Sequence, residues 1–100
     1  MPLDLSQLPI DRIREFCERH HVRRFALFGS ALRPDFHQDS DIDVLVEFLP
    51  GRTPGFAFFA MQEELSEILG RQVDLNTPGS FRASLRSKID REAKDLYVAA

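Results

Sequence analysis

Apolar positions near the N-terminus follow the period of an α-helix. Apolar and aromatic side chains three and four residues apart alternate with charged ones, which predicts an amphipathic helix that begins near Pro9. Its apolar face is predicted to contain Ile10, Ile13, Phe16, Cys17 and His20.

Two more helices are predicted farther along the chain. The spacing of apolar residues from Phe58 to Leu69 predicts a helix that Thr53 caps, that Pro54 enters and that Gly70 ends. A last helix is predicted from the spacing of four apolar residues: Leu85, Ile89, Ala93 and Leu96.

Short apolar runs between the helices predict three strands. These runs cover residues 24–28, 41–48 and 71–76. Residues 29–32 are predicted to turn into a short helix that Pro34 stops. The predicted order of elements is therefore α-β-α-β-α-β-α.

Polar residues at the strand ends orient the sheet. Gly29 and Ser30 end the first strand, Asp41 and Asp43 open the second, and Asp74 lies early in the third. If these residues form one site, the first two strands run antiparallel, and the helix before the third strand lets it run parallel to the second. The sequence thus predicts an α/β fold with a small mixed sheet of three or more strands flanked by helices.

Composition narrows the class of protein. The chain of 100 residues is 43% hydrophobic with nine Phe, so residues 1–100 are predicted to form one domain with one core. A net charge of −3 argues against direct nucleic-acid binding, which normally needs a basic surface. The single cysteine, and the lack of a signal peptide or a long apolar run, favour a cytoplasmic protein without membrane contact.

Asp41 and Asp43 are candidate metal ligands. Carboxylates two residues apart on a strand point to one face, where they repel each other unless a cation lies between them. Oxygen ligands without His or Cys favour Mg²⁺ or Mn²⁺, which typically also binds substrate phosphates. The alternative is a solvated strand start, in which this pair occurs by chance.

Asp74 is the third candidate carboxylate. It lies between Val73 and Leu75, where a charge is costly to bury without partners. Its functional role would be to help hold the metal and to accept the proton of an attacking hydroxyl. The alternative is a position on the polar face of an edge strand. If the three carboxylates are close together, at least one should have a raised pKa without metal.

Gly29 and Ser30 are predicted to hold phosphates through backbone N–H groups and the serine hydroxyl. Arg33, one turn later, would neutralise a phosphate. The alternatives are an ordinary strand-to-helix turn and a surface arginine.

The histidines and the phenylalanines near the predicted second helix are weaker indicators of a functional site. The three histidines do not have the arrangement of a metal site. The rings of Phe56, Phe58 and Phe59 either fill the core or leave one or more exposed for a partner or for self-association.

The pair Gly29-Ser30, followed after ten residues by Asp41-x-Asp43, resembles the signature of the DNA polymerase beta-like nucleotidyltransferase superfamily. Residues 25–48 are similar to the minimal nucleotidyltransferases, which partner HEPN proteins in prokaryotic toxin–antitoxin pairs. The resemblance covers nearly the whole chain. Pro34 departs from it, because the family often has glycine after the arginine, which affects the shape of the loop to Ser40.

The resemblance implies roles for these residues. It implies that Asp41 and Asp43 bind divalent metal, that Asp74 completes the triad, and that Gly29 and Ser30 contact the triphosphate. It also implies transfer of AMP from the substrate ATP to a hydroxyl, often a tyrosine of a cognate HEPN ribonuclease toxin, which silences that toxin. A chain of this length has room only for the catalytic sheet and its helices, so a partner is expected to supply the acceptor, in a homo- or hetero-oligomer.

Two other functions fit the same sequence. One is a protein-binding antitoxin that neutralises its partner by occlusion, with weak catalysis. The other is a small-molecule nucleotidyltransferase resembling antibiotic-modifying enzymes, which usually carry an extra substrate domain.

Overall fold

A computed structural model describes residues 3–100, which form a four-stranded sheet with helices on both faces. The helices are α1 (Ile10–Arg19), α2 (Ala57–Leu69) and α3 (Ala83–Glu92). The strands are β1 (Val22–Phe28), β2 (Ile42–Phe48), β3 (Val73–Asn76) and β4 (Lys94–Val98). Short 3₁₀ helices cover Leu5–Gln7, Gly29–Leu32 and Pro78–Ser80. Within the described residues, no helix is long and apolar enough to cross a bilayer.

The sheet is mixed, as the sequence predicted. Its strand order is β3-β2-β1-β4. Strand β1 runs antiparallel to β2 and β4, whereas β2 and β3 run parallel. The predicted orientation of the first three strands is confirmed, and the start of β2 therefore lies beside the end of β1.

The prediction for the C-terminal segment is wrong. Helix α3 ends at Glu92, and Ala93 has an extended backbone with φ −64° and ψ 144°. Leu96 lies in β4, which pairs with β1 instead of continuing the helix. The helical spacing of apolar residues was misleading because the hydrogen bonds of β4 come from a strand distant in the sequence.

Helix α2 begins later than predicted and ends where predicted. Its N-cap is Phe56, whose side chain makes no capping hydrogen bond, so Thr53 does not cap the helix. The carbonyl of Gly55 instead accepts a hydrogen bond from the Phe58 N–H at 3.1 Å. Gly70 ends the helix in the left-handed conformation, with φ +67°, which glycine adopts without strain.

One face of the sheet, here called the core face, packs against α1 and α2. The pairs Phe25–Val46 and Leu27–Val44 point to this face because opposed residues on antiparallel strands share a side. Helix α1 contributes three buried side chains and α2 another three to the same cluster: Ile13, Phe16, Cys17, Met61, Leu65 and Ile68.

The other face of the sheet, here called the open face, has much less cover. A small cluster of Ala26, Leu45 and Ile89 is buried there, and Ile89 is the one buried residue of α3. Phe28 and Asp43 form an opposed pair on this face, and Asp43 is in register with Asp74. Charged side chains and a thin apolar cluster therefore share the open face.

Candidate active site

The turn after β1 is locked onto the start of β2. Gly29 has φ +66°, and a Cβ at this position would collide with Oδ2 of Asp43. The Ser30 N–H donates to Asp43 Oδ2 at 3.2 Å, and the Ser30 hydroxyl donates to the Asp41 carbonyl at 2.7 Å. Only glycine meets both the backbone conformation and the close approach at position 29. The Gly-Ser pair and the Asp-x-Asp segment thus form one structural unit.

Asp43 lies among carboxylates. It is in register with Asp74 on the parallel strand β3, so the two side chains share the open face. Burial raises the pKa of Asp43, and the charges of Asp74 and Asp41 raise it further against the lowering effect of hydrogen bonds from Ser30. The expectation that one carboxylate of this group has a raised pKa is confirmed.

Asp41 and Asp74 are both exposed to solvent, and Asp74 lies on an edge strand, so the polar-edge interpretation describes its position correctly. Within residues 3–100, no three His, Cys, Asp or Glu side chains are arranged as a ready-made metal site. The donor set still fits Mg²⁺, because this ion commonly takes one or two carboxylates and completes its shell with water and phosphate oxygens.

The loop that leads to Asp41 is held by a residue that the sequence analysis did not single out. Arg71 donates to the carbonyls of His37 at 2.6 Å and Ser40 at 3.2 Å. Its guanidinium also lies 4.4 Å from the centre of the buried Phe36 ring. Pro34 therefore belongs to a supported loop, and Arg71 fixes the approach to Asp41.

A cleft of about 220 Å³ opens beside Gly29 and Asp43. One wall comes from the end of β1 and the turn, including Arg33, and the other comes from α3 and the segment before it. The sequence analysis did not assign the residues of the second wall to the site, although it placed two of them on the last helix: Phe81, Leu85, Lys88, Ile89 and Glu92. No local signal could have found them, because only the tertiary position of α3 brings them to the site.

Two other clefts of similar volume lack comparable chemistry. One, of about 230 Å³, lies between α1 and α2, where Glu64 pairs with Arg19 and with His20. The hydrogen bond from Arg19 lowers the pKa of Glu64, so this group acts as a surface ion-pair cluster. The other, of about 260 Å³, is lined by residues such as Phe48 and Thr77. The Asp43 cleft is therefore the candidate active site.

An ion-pair cluster on the open face connects α3 to strands of the sheet. Arg24 lies 3.0 Å from Asp90 of α3, 2.8 Å from Asp95 of β4 and 3.2 Å from Glu47 of β2. Burial alone would lower the pKa of Arg24, but these three carboxylates outweigh it and raise that pKa. Arg24 thereby holds the outer wall of the cleft in place.

Two of the three phenylalanines near the start of α2 face solvent. Phe56 is 91% exposed and Phe59 is 68% exposed. Phe58 is half-buried, and its ring packs 6.4 Å from that of Phe48. The interpretation in which all three rings fill the core is wrong, because only one side of this helical turn meets the sheet.

Comparisons with known proteins show the family of this chain. The family model described as a nucleotidyltransferase domain matches residues 10–97. A protein from Methanocaldococcus jannaschii assigned as a protein adenylyltransferase is 38% identical over 78 residues, covering 78% of this chain and 83% of its own. The protein adenylyltransferase MntA of Thermococcus cleftensis is 35% identical over 87 residues, covering 85% and 83%.

Solved structures show the same fold. One described as a minimal nucleotidyltransferase has a TM-score of 0.76 and 32% identity, covering 94% of this chain and 95% of its own. A toxin–antitoxin structure with AMP-PNP has a TM-score of 0.74 and 23% identity, covering 92% and 75%. A complex of a tri-AMPylated HEPN toxin with its MNT antitoxin, from Shewanella oneidensis, has a TM-score of 0.68 and 23% identity, covering 95% and 74%.

Proposed function

This chain belongs to the nucleotidyltransferase domain family, in the group of the minimal nucleotidyltransferases, and we propose that it transfers AMP from ATP to a tyrosine hydroxyl of a HEPN-type toxin and so acts as its antitoxin. One observation carries the proposal. The Gly29-Ser30 turn is hydrogen-bonded to the Asp41-x-Asp43 segment, and Asp74 is in register beside it. The Gly-Ser turn and the carboxylates of Asp41, Asp43 and Asp74 are thereby brought to one end of the sheet, where Gly29 and Asp43 line a cleft.

Each residue of the site has a separate role in the proposed reaction. The Gly29-Ser30 turn would hold the triphosphate through backbone N–H groups and through the Ser30 hydroxyl, once that hydroxyl turns from the Asp41 carbonyl to the ligand. Arg33 would offset the charge of the phosphates. Asp41 and Asp43 would hold Mg²⁺ or Mn²⁺, which would neutralise charge that develops on the phosphates. Asp74 orients the acceptor hydroxyl and takes its proton. The acceptor oxygen then bonds to the α-phosphorus as the bond to the leaving pyrophosphate breaks.

The partner follows from two lines of support. One structure with the same fold is a complex of an MNT antitoxin with a tri-AMPylated HEPN toxin. On this chain, the exposed rings of Phe56 and Phe59 offer an apolar surface, which is uncommon on a protein surface without a binding role. We assign that surface to docking of the partner. Replacing both rings with serine should weaken the complex while leaving the melting temperature almost unchanged.

Transfer is tested with ATP labelled at the α-phosphate and a HEPN protein encoded beside this chain. The wild type with Mg²⁺ should label the HEPN protein, and chelation of the metal should abolish labelling. Asp43→Asn should reduce the rate by at least about a hundredfold, whereas Asp39→Asn, an exposed aspartate in the loop, should not. A tyrosine-to-phenylalanine variant of the partner should remove the label. Equal labelling by wild type and Asp43→Asn would contradict the mechanism.

The second candidate is neutralisation by occlusion. It is favoured by the exposed Phe56 and Phe59 and by the absence, among the described residues, of a ready-made three-carboxylate site. Growth rescue in cells that express the toxin separates the two. If the transfer proposal is correct, Asp43→Asn binds the toxin and fails to neutralise it. Full rescue by that variant would favour occlusion.

A further inference from the structure

Building on the proposed transfer reaction, in which the triphosphate lies beside the Gly29 turn, we propose that the opposite wall of the cleft, formed by α3 and the segment before it, completes the nucleoside triphosphate subsite. In this subsite Lys88 binds the phosphates, and Phe81 with Leu85 contacts the sugar and base. Lys88 has no role in the signature that identifies the family. Its assignment comes from where the fold places it.

Binding of a negatively charged triphosphate in this cleft needs positively charged side chains. Asp43 lies in its wall beside Asp74, and a triphosphate brought to these carboxylates alone would be repelled. The cleft contains two cations, Arg33 and Lys88. Within residues 3–100, neither has a carboxylate within the 4.0 Å of an ion pair, although Glu92 also lines the cleft. Two cations without carboxylate partners are thus free to bind an anionic ligand.

The apolar part of the cleft suits the rest of a nucleotide. The rings of Phe28 and Phe81 meet edge to face, with centroids 5.7 Å apart and planes at 83°. Leu85 adds an apolar side chain that is 43% exposed. The volume of about 220 Å³ is below the roughly 300 Å³ at the lower end of small-molecule sites, so the cleft holds part of the nucleotide and leaves the α-phosphate open to an acceptor.

The rotation of α3 about its axis is fixed, which fixes the position of Lys88. Ile89 is buried against the sheet, and Asp90 pairs with Arg24 at 3.0 Å. Residues three and four apart lie on one side of a helix, so Leu85 shares the cleft side of α3 with Lys88 and Ile89. The position of Lys88 in the cleft is therefore built into the packing of the helix.

The chain offers a matched control, because Lys88 and Lys94 are its only two lysines and both are exposed. MgATP binding to the purified chain is measured by calorimetry for wild type, Lys88→Met, Lys88→Arg and Lys94→Met. Lys88→Met should raise the Kd by about tenfold, as expected for loss of one charge-assisted phosphate contact. Lys88→Arg should restore most of the affinity, and Lys94→Met should stay within about twofold of wild type. Inorganic tripolyphosphate should show the same order of affinities.

Direct detection of the lysine completes the test. After ¹³C-dimethylation of the lysines, MgATP should shift the NMR signal of Lys88 and leave that of Lys94 in place. If wild type binds MgATP and Lys88→Met binds it equally well, the subsite is wrong while the transfer reaction stands. If Lys88→Met lowers affinity but Asp43→Asn still labels the partner, the proposed mechanism fails and the subsite stands. A wild type that binds no MgATP overturns both.

Discussion

The two faces of the sheet differ in what covers them, although the same strands form both. On the core face, apolar residues from β1 and β2 meet three buried side chains from each of α1 and α2. On the open face, α3 buries only Ile89, which packs in a small cluster with Ala26 and Leu45. The same face also carries Asp43, Asp74 and the ion pairs of Arg24. The contrast indicates that most of the stability comes from the core face, while the proposed ligand site lies on the open face.

This division has a physical basis. Apolar burial stabilises a fold in proportion to the area removed from water. Two helices that cover one face can therefore supply most of the apolar burial that a small sheet needs. Carboxylates placed together raise the free energy of the folded state unless a cation or donor offsets their charge. Asp43 shows this, since burial, Asp74 and Asp41 all raise its pKa. Substitutions on the core face should therefore lower the free energy of unfolding, whereas substitutions of the open-face carboxylates should mainly lower activity.

The largest effect is expected on the core face. Phe25 is fully buried, so Phe25→Ala should lower the free energy of unfolding by about 3–5 kcal/mol. Ile89 is buried in the small cluster on the open face, so Ile89→Ala should cost about 2 kcal/mol. Urea denaturation measures both values. Equal losses would mean that α3 stabilises the sheet as much as α1 and α2 do.

A comparison of alanine variants at two glycines distinguishes backbone strain from steric contact. Gly29 and Gly70 have nearly equal φ values, +66° and +67°, but only Gly29 faces Asp43. Gly70→Ala should cost about 1–2 kcal/mol, the strain of a left-handed alanine, and retain transfer. Gly29→Ala should cost more, because the new methyl group displaces Asp43, and transfer should fall below detection. If both variants keep full transfer, the close packing of Gly29 on Asp43 is not needed for activity.

A smaller effect is expected at the ion pairs of the open face. Arg24→Met removes the cation that pairs with Asp90 and Asp95 and leaves Glu47 with Arg23 alone, which should cost about 1–3 kcal/mol. It should also raise the Kd for MgATP, because α3 is no longer held. The control is Arg23→Met, an exposed arginine that pairs with Glu47 alone, which should change stability by about 0.5 kcal/mol or less. Unchanged nucleotide affinity in Arg24→Met would show that α3 is held by Ile89 alone.

The core face could be predicted from the sequence and the open face only in part. Helical spacing of residues such as Ile13 and Leu65, and the apolar runs of β1 and β2, reflect local periodicity, and the structure confirms these elements. Gly29, Ser30, Asp41 and Asp43 were found because they lie close together in the chain. Their roles, with those of Asp74 and Arg33, stay predictions.

The missed features depend on contacts between segments that are distant in sequence. Ala93 and Leu96 continue the helical spacing of Ile89, so nothing local showed that Lys94–Val98 would pair with β1. The sequence analysis assigned no role to Arg24 or Lys88. The pairing of β1 with β2 and β4 and the packing of α3 bring three carboxylates to Arg24, and the packing of α3 places Lys88 in the cleft. Phe56 took the N-cap position predicted for Thr53 because a backbone carbonyl at Gly55 closed the first turn.

The most direct test of the central claim is the melting temperature of Asp43→Asn in metal-free buffer. A raised folded-state pKa means that the ionised carboxylate of Asp43 lowers stability above that pKa, and asparagine keeps an acceptor for the Ser30 N–H. We predict a melting temperature about 2–4 °C above that of wild type near pH 7, with the gain disappearing below about pH 4, where Asp43 is protonated in both states. A clear fall in melting temperature near pH 7 would contradict the account, because Asp43 would then stabilise the fold rather than serve the site.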